Sequence, residues 1–516
     1  MLSAAVLEQE WLSIDTDEWT SVRRRRYLNI SVFAKQTIVW NLGLVRITGS
    51  ASSERLVELL EVRLKEFGVD LRKHVVAITT DGAPVAKKIA TLAETLRQLC
   101  LAHGIHLAVC DVLYEKKDGN VREIADESSD SDTDEEEDAY DIEQHSEILD
   151  FSSQSIAAMV RKVRRLGVLF KQSTIYREKL QKYVQEKYGN VSVELQLLID
   201  CKTRWSSLYF MLERFTKISD CVEKTLIDFG SHISISPFDK TVLASVAKAL
   251  EPIMMTVKVL SQRDCNLLKA RAALKLMMLQ IWRQNNKFAR RLVRRLRERI
   301  AERWEISAGV LYYLRHGSYI DSFPNFSAAL NICEDDSDVD YFVDYIEDEM
   351  DMTEQELLNI FAIPSKHDIK RFIVTLLQRL CSPEVVAESD SYVPETSVSP
   401  TLATSLEKSF EDVLAEEVRK ADTELVSTLP QESALAKIVA NEMIVFEKNK
   451  TRGIYSDKIY NMLITVKPSS VESERAFSSA GLVCTKIRSR MNDDTLDHLC
   501  FLRAFFNNPA ATDVPN

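Results

Sequence analysis

Residues 74–83 read HVVAITTDGA. Val75 to Ile78 form a short uncharged, mostly β-branched run, which is the pattern of a strand buried on both faces. Asp81 follows at its C-terminal end, where open α/β sheets bind ligands, so it reads as a functional carboxylate on a strand-end loop. Upstream, SSERLVELLEVRLKEFG (52–68) sets Leu56, Leu59, Leu60, Val62 and Leu64 at mostly helical spacing. Ser52 or Ser53 supplies an N-cap and Gly68 a stop. Further upstream lie three alternating runs: WLSIDTDEW from Trp11, YLNISVFAK from Tyr27 and TIVWNLGLVRI from Thr37. They predict three adjacent strands, antiparallel and joined by short connections. Asp17 stands at the end of the first. Downstream, VAKKIATLAETLRQL (85–99) predicts one helix, and IHLAVCDVLY (105–114) a last short element.

Residues 1–115 are thus a mixed α/β segment. Residues 116–150 read as an acidic linker, with 13 acids and no Lys or Arg between Asp126 and Asp150. Such a run buries too little apolar surface to offset its ordering entropy. Residues 151 to about 450 are predicted to be overwhelmingly helical, with VELQLLIDCKTRWSSLYFMLERF (193–215) as one long periodic segment. A loop composition marks 382–401, and a second acidic run spans Glu334–Glu356 with 12 acids and no base. The formal net charge of −12 therefore hides a basic body carrying two acidic runs. The most basic stretch holds nine Lys or Arg and two Glu between Arg283 and Arg303. Its Phe288, Leu292, Leu296 and Ile300 form one apolar helical stripe ringed by arginines. A basic body suits a polyanion partner, whereas acidic runs by themselves are commonly solvated faces.

Several classes are excluded. Gly (13) and Pro (12) are too few in 516 residues for a collagen-like or pervasively disordered chain. The best membrane-span candidate, Val242 to Leu260, is broken by Lys248, Glu251 and Lys258, so no membrane partner is expected. The start MLSAAVLEQEW lacks a signal-peptide pattern. Nine scattered cysteines without a CxxC fit reduced thiols and no zinc ribbon.

Short motifs then occur in a fixed order: DEWTS from Asp17, TTDGA around Asp81, CLAHGIHL from Cys100, TRW at 203–205 and SSVESERAFSSAG from Ser469. Together they resemble the hAT superfamily of DNA transposases, across nearly the whole chain. The resemblance implies an α/β fold: a ribonuclease H-like mixed sheet interrupted by a large all-helical insertion, with a helical C-terminal dimerisation region. The implied division is 1–115 for the first part of the core, 151–228 for its helical continuation and 229–435 for the insertion. Residues 436–508 would form the dimerisation region and 509–516 a tail. It also implies an Asp-Asp-Glu triad of Asp17, Asp81 and Glu474. That donor set suits Mg²⁺ (or Mn²⁺), since hard divalent ions prefer carboxylate oxygens and a metal pair stabilises both attacking and leaving oxygens of a phosphodiester.

Neighbouring residues take roles by the same resemblance. Arg204 would hold a phosphate and Trp205 stack on an extrahelical base, although a Trp in such a helix also reads as core. Cys100 and His103 would lie beside the active site. A CxxH with His106 falls short of a four-ligand zinc site. Arg475 would contact DNA. Phe477, Leu496, Leu499, Leu502 and Phe506 would serve dimerisation, the last four forming an apolar helical stripe. Ser469 and Glu472 fit a capping box, leaving Glu474 free; a cap at Ser470 would weaken that division.

The chain departs from the family in three ways. No BED-type zinc finger pattern precedes the first strand. Gly82 replaces the family's Asn after the second Asp, and the upstream tryptophan pair is absent, Phe446 being the nearest aromatic. The expectation is a nuclear, DNA-binding, self-associating protein derived from a transposase, with strand cleavage open. The alternatives are a catalytically inactive domesticated regulatory module, and an unrelated helical scaffold.

Overall fold

The computed structural model describes residues 11–34, 38–113, 153–189, 195–200, 205–317, 352–381, 433–484 and 491–507. Both predicted loop stretches, 116–150 and 382–401, and most of the second acidic run lie outside them. The chain divides into two compact units. The first comprises Met1–Leu311, Pro324–Ala362 and Met462–Asn516; the second comprises Tyr312–Phe323 and Ile363–Asn461. The boundaries at 311 and 461 fall inside the segments expected as 229–435 and 436–508.

The first unit is built on a mixed five-stranded sheet of order β3-β2-β1-β4-β5. Strands β1 (Leu12–Thr20), β2 (Arg26–Ala34) and β3 (Ile38–Ile47) form the antiparallel meander that their alternation predicts. β4 (Val75–Thr80), every residue of it buried, pairs parallel with β1, and β5 (Leu96–Leu99) pairs parallel with β4. Helix α1 (Ser53–Glu66) starts from Ser52, whose side chain accepts from the Arg55 amide, and ends before Gly68, at φ 75°. A short helix, α2 (Leu71–His74), leads into β4. The apolar face of α1, including Leu56, Leu60 and Leu64, packs with Leu12, Ile14, Ile30 and Ile78 from the sheet. Each such burial contributes about 1.5–3 kcal/mol.

The single helix expected over 85–99 is corrected. Helix α3 (Pro84–Leu92) stops at Ala93, Glu94 takes φ 55°, and Leu96–Leu99 becomes β5. Parallel pairing with β4 overrides the helical spacing there. The element beyond is helix α4 (Leu101–Leu113).

Helices α5 (Ser153–Gln172), α6 (Thr174–Tyr188), α7 (Trp205–Asp228), α8 (Pro237–Leu260), α9 (Leu267–Trp282) and α10 (Lys287–Ala301) follow. With α4 they share one apolar core. In α10 the expected stripe is inward, with Phe288, Leu292, Leu296 and Ile300 all buried. The long helix expected over 193–215 is shorter than its pattern. Residues 195–200 are not helical, and their Leu195 and Gln196 carbonyls accept side-chain hydrogen bonds from Gln181 and Arg214.

Helix α11 (Ile306–His316) carries the boundary between the units, and α12 (Glu354–Leu358) belongs to the first. The second unit contains α13 (Lys366–Leu380), α14 (Ala434–Asn449) and most of α15 (Ile454–Leu463). Within it the Tyr313 ring meets Phe446 edge-on, and its hydroxyl donates to Glu447 at 3.0 Å. The C-terminal helices α16 (Val471–Val483) and α17 (Asp493–Phe506) return to the sheet. Gly43 is required at this return. Its φ is 87°, and a Cβ there would stand 1.9 Å from Asp497 Oδ1, the acceptor of the Leu44 amide.

Candidate functional site

Parity along β1 decides which of its side chains can do chemistry. Leu12 and Ile14 enter the apolar layer with α1, so Ser13, Asp15 and Asp17 fall on the opposite face. The segment leading into α16 crosses that face. Ser13 Oγ donates to the Thr465 carbonyl at 2.5 Å, and Thr79 Oγ1 to the Lys467 carbonyl at 2.9 Å. The Leu101 amide donates to the Pro468 carbonyl at 2.9 Å. Helix α16 then starts over β1 and β2, where Ser473 Oγ lies 3.1 Å from both Asp15 Oδ1 and Asn29 Oδ1. Asn29 is held in turn by Asn41, Ser31 and the Gly43 carbonyl.

Asp15 is fully buried, and its Oδ2 has no hydrogen-bond partner. Burial, and then the Glu472 charge, push its carboxyl up to about 8 despite the bonds from Ser31 and Ser473. It is therefore mostly neutral at pH 7. Lys467 sits in the same interior, donating to the Arg263 carbonyl at 2.7 Å. Burial pushes its ammonium down to about 8.

Of the three carboxylates expected from the sequence, Asp17 and Asp81 lie at one end of this sheet, and Glu474 stands on α16. Asp15 pairs with Thr79 across the parallel β1/β4 contact, and two further residues along each chain reach Asp17 and Asp81. Asp17 Oδ1 accepts from the Glu18 amide at 2.7 Å, and Asp81 Oδ1 from the Ala83 amide at 3.0 Å. Glu474 is exposed on α16, and its charge helps raise the pKa of Cys100. The Cys100 amide donates to the Thr80 carbonyl at 2.7 Å, next to Asp81. The divalent metal that the resemblance implies is not matched by these side chains as they lie. Among the described residues, no group of three or more His, Cys, Asp or Glu is placed to hold a metal ion.

The capping-box reading of Ser469 and Glu472 is corrected. Helix α16 has Ser470 as N-cap without a side-chain bond. Ser469 Oγ donates to the Leu260 carbonyl, and Glu472 takes Arg263 and Arg475 instead of the cap amide. Tertiary partners win over the local motif.

Cys100 is a buried junction. Its Sγ accepts from the Ser470 and His103 amides at 3.4 Å each, and burial pushes its thiol up to about 11. A neutral thiol is a poor nucleophile and a poor metal ligand. The His103 ring stacks with His106 at 6.1 Å.

Arg204 lies outside the described residues. Trp205 opens α7, and its side chain is likewise outside them. Arg475 is exposed, pairs with Glu472 and donates to the Ser261 carbonyl. Phe477 stacks on Trp19 at 6.2 Å, and Leu496 is buried in the same cluster. Leu499, Leu502 and Phe506 remain exposed on α17, with Phe506 at 69%.

Sequence reasoning missed Asp15, Asn29, Ser473 and Lys467. The first had a signal: Asp15 is two residues before Asp17 and so shares its face. The others had none without the fold.

Comparison with known proteins covers part of the chain. Residues 145–249 match the family model of the ZBED1 RNase-like helical domain. This segment is similar to a ZBED-type domain. In the structure it corresponds to α5, α6, α7 and the first half of α8. A relative from Talaromyces stipitatus, named "Putative transcriptional regulator tpeD", is 26% identical over 237 residues. That match covers 42% of this chain and 26% of the relative. The first likeness supports a ZBED-type domain over that segment, and neither points to a particular transposase. Among the described residues, no helix is long and apolar enough to cross a membrane.

Proposed function

We propose that this chain is a nuclear, hAT-derived regulatory protein that binds DNA and associates with itself through α17. What supports this reading is the placement of Asp17 and Asp81 at the ends of the paired strands β1 and β4, with α16 packed over β1 and β2. Strand-end acids approach a phosphodiester only with divalent cations between them, so the basic stretch between Arg283 and Arg303 is the part of the chain that suits a duplex. The ZBED-type segment and the regulator-like relative support the regulatory side. Duplex binding by the full chain, followed by fluorescence anisotropy at several salt concentrations, tests it. The expected result is binding that weakens steeply with salt; absence of binding at low salt contradicts it.

A second reading, residual strand cleavage of the Asp-Asp-Glu type, is favoured by the alignment of Asp17 with Asp81. It requires the three side chains to turn toward one another around Mg²⁺ or Mn²⁺. Supercoiled plasmid incubated with Mn²⁺ separates the two. Nicking that disappears in Asp81→Ala supports cleavage, and equal background for both proteins supports the silent regulator.

Self-association rests on the exposed apolar residues of α17 among the described residues: Leu499, Leu502, Phe505 and Phe506. Scattered exposed apolar residues are ordinary, but four on one short helix form a patch. Leu502→Asp with Phe506→Asp is expected to shift the sedimentation profile toward monomer while leaving the melting temperature nearly unchanged. A profile identical to wild type places association elsewhere.

A further inference from the structure

Trp282 and Arg297 fix the place where the second acidic run joins the fold. Trp282 Nε1 donates to the Met352 carbonyl at 3.1 Å. Arg297 Nε donates to the Glu356 carbonyl at 3.1 Å, and its Nη2 to Asn359 Oδ1 at 2.9 Å. Thr353 and Glu356 form a capping box at the start of α12. The segment from Met352 to Asn359 therefore runs along the flank of α10, with Met352 at the end where that helix starts. Residues 334–351, with ten acids and no Lys or Arg, join the chain at that point.

The start of α10 is cationic on the side away from the core. Phe288, Leu292, Leu296 and Ile300 are buried, whereas Lys287, Arg290, Arg294 and Arg295 are exposed, as is Arg283 in the turn before them. Positions 287, 290 and 294 share one face, and Arg294 and Arg290 stand one turn and two turns before Arg297. Helix α9 adds two buried cations beside the same segment. Arg271 is 2% and Lys275 4% exposed. Arg271 Nη2 donates to the Phe361 carbonyl at 2.9 Å, and the Lys275 ammonium stands 5.9 Å from the centroid of the Phe361 ring. Buried cations persist in folds where anions meet them. Helix α10 is about 22 Å long. The eight residues before Met352 span at most about 28 Å, so the whole basic face is within their reach. A tether this short sets a local concentration of about millimolar, which any other anion must overcome.

We propose that residues 334–351 are the resident occupant of the basic face of α10 and compete there with duplex DNA. This is a regulation of the DNA-binding reading above and rests on it.

Carbodiimide coupling of the full chain tests the occupant without DNA. The reagent joins a carboxylate to an amine as an amide and carries off the water as a urea. The expected result is an amide between Lys287 and a carboxylate of residues 344–351, found by peptide mass mapping. It is expected to be lost at about 1 M salt, where screening acts over about 3 Å. No such link at low salt overturns the proposal.

Anisotropy titrations of a labelled duplex are the second arm. Asp344→Asn, Glu347→Gln, Asp348→Asn, Glu349→Gln and Asp351→Asn together are expected to tighten binding about tenfold or more, and to steepen the salt slope by about 0.9 for each cation released. Adding Lys287→Gln and Arg294→Gln is expected to cancel that gain. Matching neutral substitutions at Asp132, Asp134, Glu135, Glu136 and Glu137 change the net charge equally and are expected to move the affinity less than about threefold. An equal gain from both sets assigns the effect to net charge and overturns the occupant. Unchanged affinity in the 344–351 set overturns the competition while leaving the DNA-binding reading standing. Failure of wild type and of the neutralised chain alike to bind duplex overturns both.

Discussion

Arg164→Met is expected to destabilise the first unit by about 3–5 kcal/mol, as loss of one partner from a buried ion pair does. Arg164 on α5 grips Asp200 with two hydrogen bonds, Nε to Oδ1 at 2.7 Å and Nη2 to Oδ2 at 2.5 Å. The Asp200 side chain is 1% exposed, so its charge has little access to water once the guanidinium is gone. Gly167 lies so close to residues 198 and 199 that a Cβ would come within 3.0 Å of Ile199 Cγ1. The pair therefore seats the non-helical stretch 195–200 on α5, inside the ZBED-type segment. Asp200→Leu in the Arg164→Met background is expected to recover much of the loss, because it removes the stranded charge. Denaturant midpoints of the two variants check this. A loss under about 1 kcal/mol in the single variant would show that Asp200 is hydrated.

Asp15→Asn is expected to reshape the pH dependence of stability. The carboxyl is held at about 8 in the fold, against an ordinary 3.8, chiefly by burial. Between those values the unfolded chain has released the proton and the folded chain retains it. The stability that Asp15 contributes is therefore whole below about pH 4. It is lost as the pH rises toward 8, at about 1.4 kcal/mol per pH unit. Lys467 acts above that window. Its ammonium is held at about 8, against 10.5, so its burden on the fold is greatest below pH 8 and is relieved as the pH rises toward 10.5. Wild type is expected to be least stable near pH 8. Asp15→Asn keeps a neutral group of nearly the same shape and is expected to abolish the decline between pH 4 and 8. Thermal melts at pH 5, 6, 7 and 8 read this directly. Parallel curves for the two proteins would mean that Asp15 is ionised in the fold.

The meander, the buried β4 and the helix ending at Gly68 were legible because each depends on a local pattern: alternation, an uncharged β-branched run, a cap and a stop. The helix/strand switch at 93–99 was not, because Leu96–Leu99 is a strand only by virtue of β4 beside it. The end of α16 that meets the sheet was misread for a related reason. Ser469 and Glu472 have the spacing of a capping box, but Leu260, Arg263 and Arg475 compete for the same atoms and prevail. At the candidate site, Asp17 and Asp81 were visible as acids at strand ends. The buried partner two residues earlier was overshadowed by the motif that contains Asp17. The dimerisation residues split along the same line. Helical spacing identified the stripe of α17, but which half of it the sheet covers depends on Asp497 meeting Gly43 and Arg63.

The account stands on one packing event: α16, from the far end of the chain, closes over β1 and seals Asp15 away from water beneath Ser473. An infrared difference spectrum between wild type and Asp15→Asn at pH 6 tests it most directly. The expected result is a protonated-carboxyl band in wild type alone, fading as the pH is raised through about 8. A spectrum showing only an ionised carboxylate at pH 6 would mean that Asp15 is open to solvent and that the helix does not close there.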